Sequence, residues 1–253
     1  QMEDYGAGAV VMPSLFEEQI RKEEAVLNSV LNETTHAFAE AMDYFPGLDE
    51  YNIGIHEYLE NISNVKKRVK IPIIASLSGI TNEGWVDYAR QMQQAGADAI
   101  EINIFFIPGD LDMSTAEVEH RYLNIIETIK HTVTIPIAVK LNPYFSAMGN
   151  MALRMKNAGA DALVLFNRFF SPDIDIETMK VIPSRLFSEP SDIALPLRWT
   201  ALLSEHLKCD MAASTGVYSG KDVIKLLLAA ASAEQVAAAR FDGIRPQQVL
   251  HAV

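Results

Sequence analysis

The sequence predicts a parallel α/β barrel of the (β/α)8 type, and three observations lead there. A helix-to-strand phrase recurs as Tyr5-Gly6-Ala7-Gly8-Ala9, Ala95-Gly96-Ala97-Asp98-Ala99 and Ala158-Gly159-Ala160-Asp161-Ala162, and more weakly as Ala229-Ala230-Ala231-Ser232-Ala233. Short apolar runs alternate strictly with helical patterns, which implies parallel strands joined by crossover helices. The length of 253 residues suits one such domain, since single barrels of ~250 residues are common. Residues 1–253 therefore read as one domain.

The elements follow in order. Glycine in the recurring phrase suits the left-handed residue that ends a helix, and its small neighbours let helix and strand pack closely. Two other joints read Ile71-Pro72-Ile73 and Ile135-Pro136-Ile137. There proline stops what precedes it and opens an extended segment. Strands are expected over Ala9–Met12, Ile73–Leu77, Ala99–Ile104, Ile137–Leu141, Ala162–Phe166, Asp210–Ser214 and Glu234–Ala238. They are short and read as continuous apolar runs, as strands buried on both faces should. Helical patterns lie between them at Trp85–Ala95, Ala116–Lys130, Met148–Ala158, Leu197–His206 and Lys221–Ala229.

Seven strands are one short of a closed barrel. The chain opens on Gln1-Met2-Glu3-Asp4-Tyr5, which reads as the last turn of a helix, so the first barrel strand is expected to be lacking. A doubly wound open sheet is the competing fold, but no GxGxxG or GxxxxGK[ST] fingerprint supports it. The segment 168–195 is too long for a plain connection and is expected to carry a hairpin or lid above the barrel mouth.

Composition excludes several function classes. One cysteine, Cys209, cannot close an intramolecular disulfide or build a thiolate cluster, which favours a reducing compartment. No apolar stretch approaches the ~20 residues that a bilayer demands, so the reading is a cytoplasmic protein without membrane association. A net charge of −12 opposes nucleic acid, which requires a basic footprint. Residues 1–50 hold eleven acids and two bases, the pattern of a solvated helix face. The six histidines show no metal-ligand spacing, so no metal is expected. The partner is a small-molecule substrate, with a homodimer left open.

In either fold the chemistry sits at the carboxyl ends of the strands. Lys140 ends an apolar strand, so its ammonium must be paired or must serve a ligand. Asn103 and Asn167 occupy matching places, as helix caps or as neighbours of a shared ligand. The loop Ser214-Thr215-Gly216-Val217-Tyr218-Ser219-Gly220-Lys221-Asp222 combines small residues with a helix start. Free N–H groups there would face an anion, which points to a phosphorylated ligand; Ser219 or Gly220 could equally be an ordinary cap.

These residues also carry a family likeness. Ile135-Pro136-Ile137-Ala138-Val139-Lys140-Leu141-Asn142-Pro143-Tyr144-Phe145 resembles the lysine-bearing strand of the cytosolic dihydroorotate dehydrogenases. Residues 158–167 followed by 213–220 resemble their asparagine strand and glycine loop, and the likeness runs in order from about Gly6 to Ala239. It implies a barrel that binds flavin mononucleotide (FMN). Ser14, Asn103, Lys140, Asn167, Thr215, Gly216 and Gly220 would then approach the flavin or its stacked ligand, with Lys140 near the pyrimidine edge. The family's loop Asn-Leu-Ser-Cys-Pro-Asn, whose cysteine is the base, appears here as Asn103-Ile104-Phe105-Phe106-Ile107-Pro108. Phe106 therefore occupies the usual base position and no catalytic base is assigned. Pro13 replaces a family lysine, and the pyrimidine-binding segment has no counterpart near Asp43–Gly54.

The leading expectation is an FMN-dependent oxidoreductase that oxidises dihydroorotate or a related compound by hydride transfer. A flavin-binding pseudoenzyme or regulatory subunit is the first alternative, favoured by Phe106 and Pro13. A phosphate-binding isomerase or aldolase without flavin, with Lys140 as a Schiff-base nucleophile, is the second.

Overall fold

The computed structural model describes residues 2–16, 55–79, 82–104, 106–168, 172–184 and 188–236. Seven parallel strands carry the fold: β1 (Val10–Phe16), β2 (Ile73–Gly79), β3 (Ala99–Ile104), β4 (Ile137–Leu141), β5 (Ala162–Leu165), β8 (Asp210–Ser214) and β9 (Ala233–Gln235). They pair in the order β1-β2-β3-β4-β5-β8-β9. The short β6 (Pro172–Asp175) and β7 (Lys180–Pro183) form a separate antiparallel hairpin between β5 and β8. The described helices are α1 (Ile55–Lys66), α2 (Asn82–Gln94), α3 (Thr115–Thr132), α4 (Met148–Asn157), α5 (Ala194–Ser204) and α6 (Gly220–Leu228). The result is a partial (β/α)8 barrel. Among the described residues no strand joins β1 to β9.

The expected strands β3, β4 and β8 have the observed bounds. The first runs on through Pro13 to Phe16. Proline lacks the N–H a ladder needs, and the β1–β2 register shifts between Val11 and Ser14, beside it. The helix α1 had no counterpart in the sequence reading. Ala237, Ala238 and the Asp43–Gly54 stretch lie outside the described residues.

One expectation is corrected. β5 is apolar on both faces, with Leu163, Val164 and Leu165 all buried, but β3 alternates in polarity. In β3, Ile100, Ile102 and Ile104 are fully buried against the helices, while Glu101 and Asn103 face the other way among Ser14, Ser76 and Gln235. The outer layer between sheet and helices is therefore greasy, and the inner face is polar where β1 to β4 and β9 contribute Ser14, Ser76, Glu101, Asn103, Lys140 and Gln235, turning apolar at Val164 and Ala212 on β5 and β8. A Gln235 side chain on β9 that bonds Glu101 on β3 requires the sheet to curl across its own interior.

The recurring phrase is a joint, and its aspartate proves as important as its glycine. Gly96 and Gly159 have φ of +101° and +115°, the conformation glycine alone adopts freely. Asp98 opens β3 and accepts from Ile73 N (2.7 Å) at the start of β2 and from Lys66 Nζ (2.7 Å) at the end of α1. Asp161 opens β5 and repeats the arrangement with Ile137 N (2.8 Å) on β4 and Lys130 Nζ (2.7 Å) on α3. Burial pushes the Asp98 carboxyl up, but the Lys66 ammonium and the Ile73 N–H outweigh it and hold its pKa below the ordinary carboxylate value.

Candidate functional site

Alternation places every second residue of a strand on the inner face, so the polar inner lining follows from a few positions. Asn103 on β3 stands beside Lys140 on β4 in register. The Asn103 amide donates to Ser14 Oγ at 3.2 Å and lies 3.5 Å from Ser76 Oγ and from Glu101 Oε1. Ser14 and Ser76 share a hydroxyl hydrogen bond of 2.7 Å. The Asn103 carbonyl oxygen is buried without a hydrogen-bond partner. Such a group is rare in a native interior and calls for a donor.

Lys140 is paired. Its ammonium donates to Gln235 Oε1 at 2.9 Å and lies 3.6 Å from Glu101 Oε1. The Gln235 amide in turn donates to the other Glu101 oxygen. Glu101 is 2% exposed and Lys140 19%, so the ammonium looks outward from a carboxylate that does not. Tyr58 on α1 braces this layer, its hydroxyl donating to Ser76 O (3.1 Å) and accepting from Ser76 N (2.9 Å). Burial pushes the Tyr58 phenol up to about 12, so it stays a neutral structural group.

Asn167 and Thr215 form a neighbouring group after β5 and β8. The Asn167 amide donates to Lys140 O (3.2 Å) and the Thr215 hydroxyl to Phe166 O (3.3 Å). With Arg168, Asp192 and Arg198 they line a cavity of about 370 Å³. Gly216 has φ +73° and admits the backbone of Ile193 so closely that a Cβ would fall 2.2 Å from Ile193 N. Its small size thus serves the chain's own backbone. The helix start beyond it differs from the sequence reading in one respect. Asp222 accepts from Ser219 N (3.0 Å), Ser219 Oγ (2.7 Å) and Tyr218 N (3.4 Å) in a capping box. A carboxylate of the chain itself thus stands at the start of α6. Burial raises the Asp222 pKa, but the Ser219 hydroxyl, Lys225 and Tyr218 N–H prevail and hold it below the ordinary value. Gly220 is simply the first helical residue.

Phe106 follows β3, and its ring lies under the Arg121 guanidinium of α3, 4.4 Å from centroid to Cζ, a cation–π contact. It also lines a largely apolar cavity of about 450 Å³ with Ile107, Val118, Asn142, Tyr144 and Phe145. Glu119 at this cavity is ion-paired with Arg154, and Asn142 donates to Tyr122 OH (2.6 Å). Burial pushes the Tyr122 phenol up to about 12. Phe105 lies outside the described residues.

The structure brings Ser14, Asn103 and Lys140 together, sets Asn167, Thr215 and Gly216 beside one another, and makes Gly220 the first residue of α6. Sequence reasoning missed Glu101 and Gln235. The available signal was the alternation Ile100-Glu101-Ile102-Asn103-Ile104, in which a mid-strand carboxylate shares a face with the asparagine already singled out.

Comparison with known proteins places the chain in a family. Residues 45–251 match the family model for dihydroorotate dehydrogenase. A Methanocaldococcus jannaschii protein named dihydroorotate dehydrogenase B (NAD(+)), catalytic subunit, is 30% identical over 241 residues, covering 91% of this chain and 74% of that protein. Proteins of the same name from Citrifermentans bemidjiense and a Geobacillus species are each 28% identical, over 201 and 197 residues. Each alignment covers 75% of this chain, and they cover 64% and 62% of those proteins. The aligned part is thus under two thirds of the length of those two relatives. With a family match across most of its length and a barrel whose polar residues gather at the strand ends, the chain belongs to the dihydroorotate dehydrogenase family.

Proposed function

We propose that the protein is an FMN-dependent oxidoreductase that oxidises a small substrate, dihydroorotate or a related compound, by hydride transfer. The observation that carries this reading is the pairing of Lys140 with Asn103, a cation beside a buried carbonyl oxygen that lacks a donor. A flavin ring presents an N–H donor and two acceptor carbonyls on its pyrimidine edge, so the two residues fit it. When bound, the flavin would take up the hydride and gather negative charge near N1 and the C2 carbonyl. Lys140 is the group suited to stabilise that charge, because a fixed cation in a low-dielectric site acts strongly and needs no reorganisation. Ser14 orients the Asn103 amide, and Asn167 buttresses the backbone of Lys140. The N–H groups of Tyr218 and Ser219 bond Asp222, so a phosphate at this loop would be held by the other N–H groups of the stretch 215–221, at the start of α6.

Phe106 favours a second reading, a flavin-binding barrel with little dehydrogenase activity. A carbon acid requires an oxygen, sulfur or nitrogen base, worth ~10²–10⁴-fold in rate. Phe106 offers none, and its neighbour Glu119 is held by Arg154. The test is a visible spectrum of the protein reconstituted with FMN, followed by anaerobic addition of dihydroorotate. Flavin bands that bleach slowly are expected. Failure to retain FMN overturns the flavoprotein reading, and rapid saturable bleaching overturns the assignment of Phe106 to the place of the base.

A further inference from the structure

The inner face of the barrel contains a charge that the flavin reading does not use. Glu101 is almost wholly buried and lies between three side chains. Lys140 approaches one oxygen at 3.6 Å, Asn103 Nδ2 approaches the same oxygen at 3.5 Å, and Gln235 donates to the other. A buried carboxylate persists only when it is paired and hydrogen-bonded. Gln235 meets that need doubly, since its amide nitrogen faces Glu101 and its oxygen accepts from Lys140. The three side chains come from β3, β4 and β9, and they hold the ammonium against the sheet interior.

This arrangement has an electrostatic consequence. A lone ammonium in a low-dielectric site presents a full positive charge to whatever lies beyond it, whereas an ammonium backed by a carboxylate presents a dipole whose field falls off faster. Any negative charge that develops outside Lys140 is stabilised less than the lysine alone would achieve. We infer that Glu101 is the counter-ion and positioning residue of Lys140, which fixes the ammonium's direction and holds down the reduction potential of a flavin at the barrel mouth. The inference rests on the flavin reading above.

The experiment is a double-mutant cycle on the full chain. Glu101→Gln, Lys140→Met and the double variant are each reconstituted with FMN, and reduction potentials are read by anaerobic dye equilibration. Glu101→Gln leaves Lys140 uncompensated, so the equilibrium shifts about tenfold toward reduced flavin, a rise of about 30 mV for a two-electron couple. Lys140→Met leaves a bare carboxylate and lowers the potential, and the double variant recovers part of that loss. In the flavin-free protein, each single variant has a lower urea midpoint than the parent, and the double variant lies above the singles, because breaking a buried pair costs more than replacing it. If Glu101→Gln does not fold, the comparison of Lys140→Met with the double variant decides the matter. Equal potentials in that pair, or an unchanged or lower potential in Glu101→Gln, overturn the inference while leaving the flavin reading intact. A parent protein that retains no FMN overturns both.

Discussion

The joints that open β3 and β5 and the joint that opens β9 are written in the same phrase with different residues. In the first two, glycine takes the left-handed position and aspartate binds a neighbouring strand and a helix-terminal lysine. In the third, Ala230 takes the left-handed position at φ +66°. Ser232 replaces the aspartate, accepting from Met211 N at 3.3 Å and donating to Asp210 Oδ1 at 2.9 Å. The packing differs in the same sense. Around β2 to β5 the core is continuous through Ile100, Ile102, Ile126, Val139, Met155 and Leu163. Around β8, β9 and α6 a separate small cluster has Ile193, Ala213, Val217, Val223, Leu226 and Ala231 as its buried members, with Leu197, Leu227 and Val236 packed partly buried against it. The lesson is that one topological step can be made tightly or loosely. The loose copy lies where Gln235 must reach across to the inner network.

The largest expected effect comes from destroying a tight joint. Gly159→Ala would impose a side chain at φ +115° and bring its Cβ to 2.7 Å from Lys130 Cγ. A loss of roughly 2 kcal/mol is expected from the backbone strain, read as a lower urea midpoint. Gly96→Ala meets Lys66 Cγ only at 3.7 Å and should cost less. Equal losses would show that the lysine contact is immaterial.

Next is the carboxylate. Asp98→Asn removes the charge that binds Lys66 and Ile73 N. A charge-assisted hydrogen bond is worth ~1.5–3 kcal/mol, reduced here by the half-exposed setting, so a loss of about 1 kcal/mol is expected at neutral pH. The sign with pH follows from the direction of the shift. Because the folded pKa is lowered, the contribution is complete above the ordinary aspartate value of ~3.9. It disappears as pH falls from there through the folded value. The stability gap between parent and Asp98→Asn should therefore close in that acid window; a gap that persists below it would assign the loss to packing.

The smallest effect should be a gain. Ala230→Gly relieves left-handed strain of ~1–2 kcal/mol for a non-glycine residue, against an entropic cost of ~0.5–1 kcal/mol for glycine. A net stabilisation of about 0.5–1 kcal/mol is expected in denaturant titration. No change would mean that the third joint is limited by Ser232.

Much of this was legible in the letters. The phrase with Gly96 and Gly159 and the Ile-Pro-Ile starts mark where helices stop and strands begin, because only a few residue types satisfy those backbone angles. Lys140 and Asn103 were legible because a polar residue at the end of an apolar strand has few reasons to be there. Glu101 and Gln235 were not, since their partners lie on strands far apart in sequence and meet only when the sheet curls. The cap that Asp222 makes at the start of α6 was not legible, because the sequence does not say which acceptor a helix start will choose. Helix α1 escaped notice because it precedes Ile71-Pro72-Ile73 without the recurring phrase.

The aspartate joints also bear on how the sheet comes apart. Asp98 fastens the start of β3 to the start of β2, and Asp161 fastens β5 to β4. No aspartate clasp links β3 with β4 among the described residues; there Gln93 at the end of α2 accepts from Thr134 N (2.7 Å) and Ile135 N (3.3 Å) ahead of β4, and the strand starts meet through Ile100 N and Pro136 O at 3.0 Å. The sheet is thus assembled from riveted pairs. Amide hydrogens near the starts of β2 and β3 should exchange with solvent as one cooperative unit and those of β4 and β5 as a second, while β8 and β9 open first. The end that supplies Gln235 to Glu101 is then the part of the barrel most often ajar.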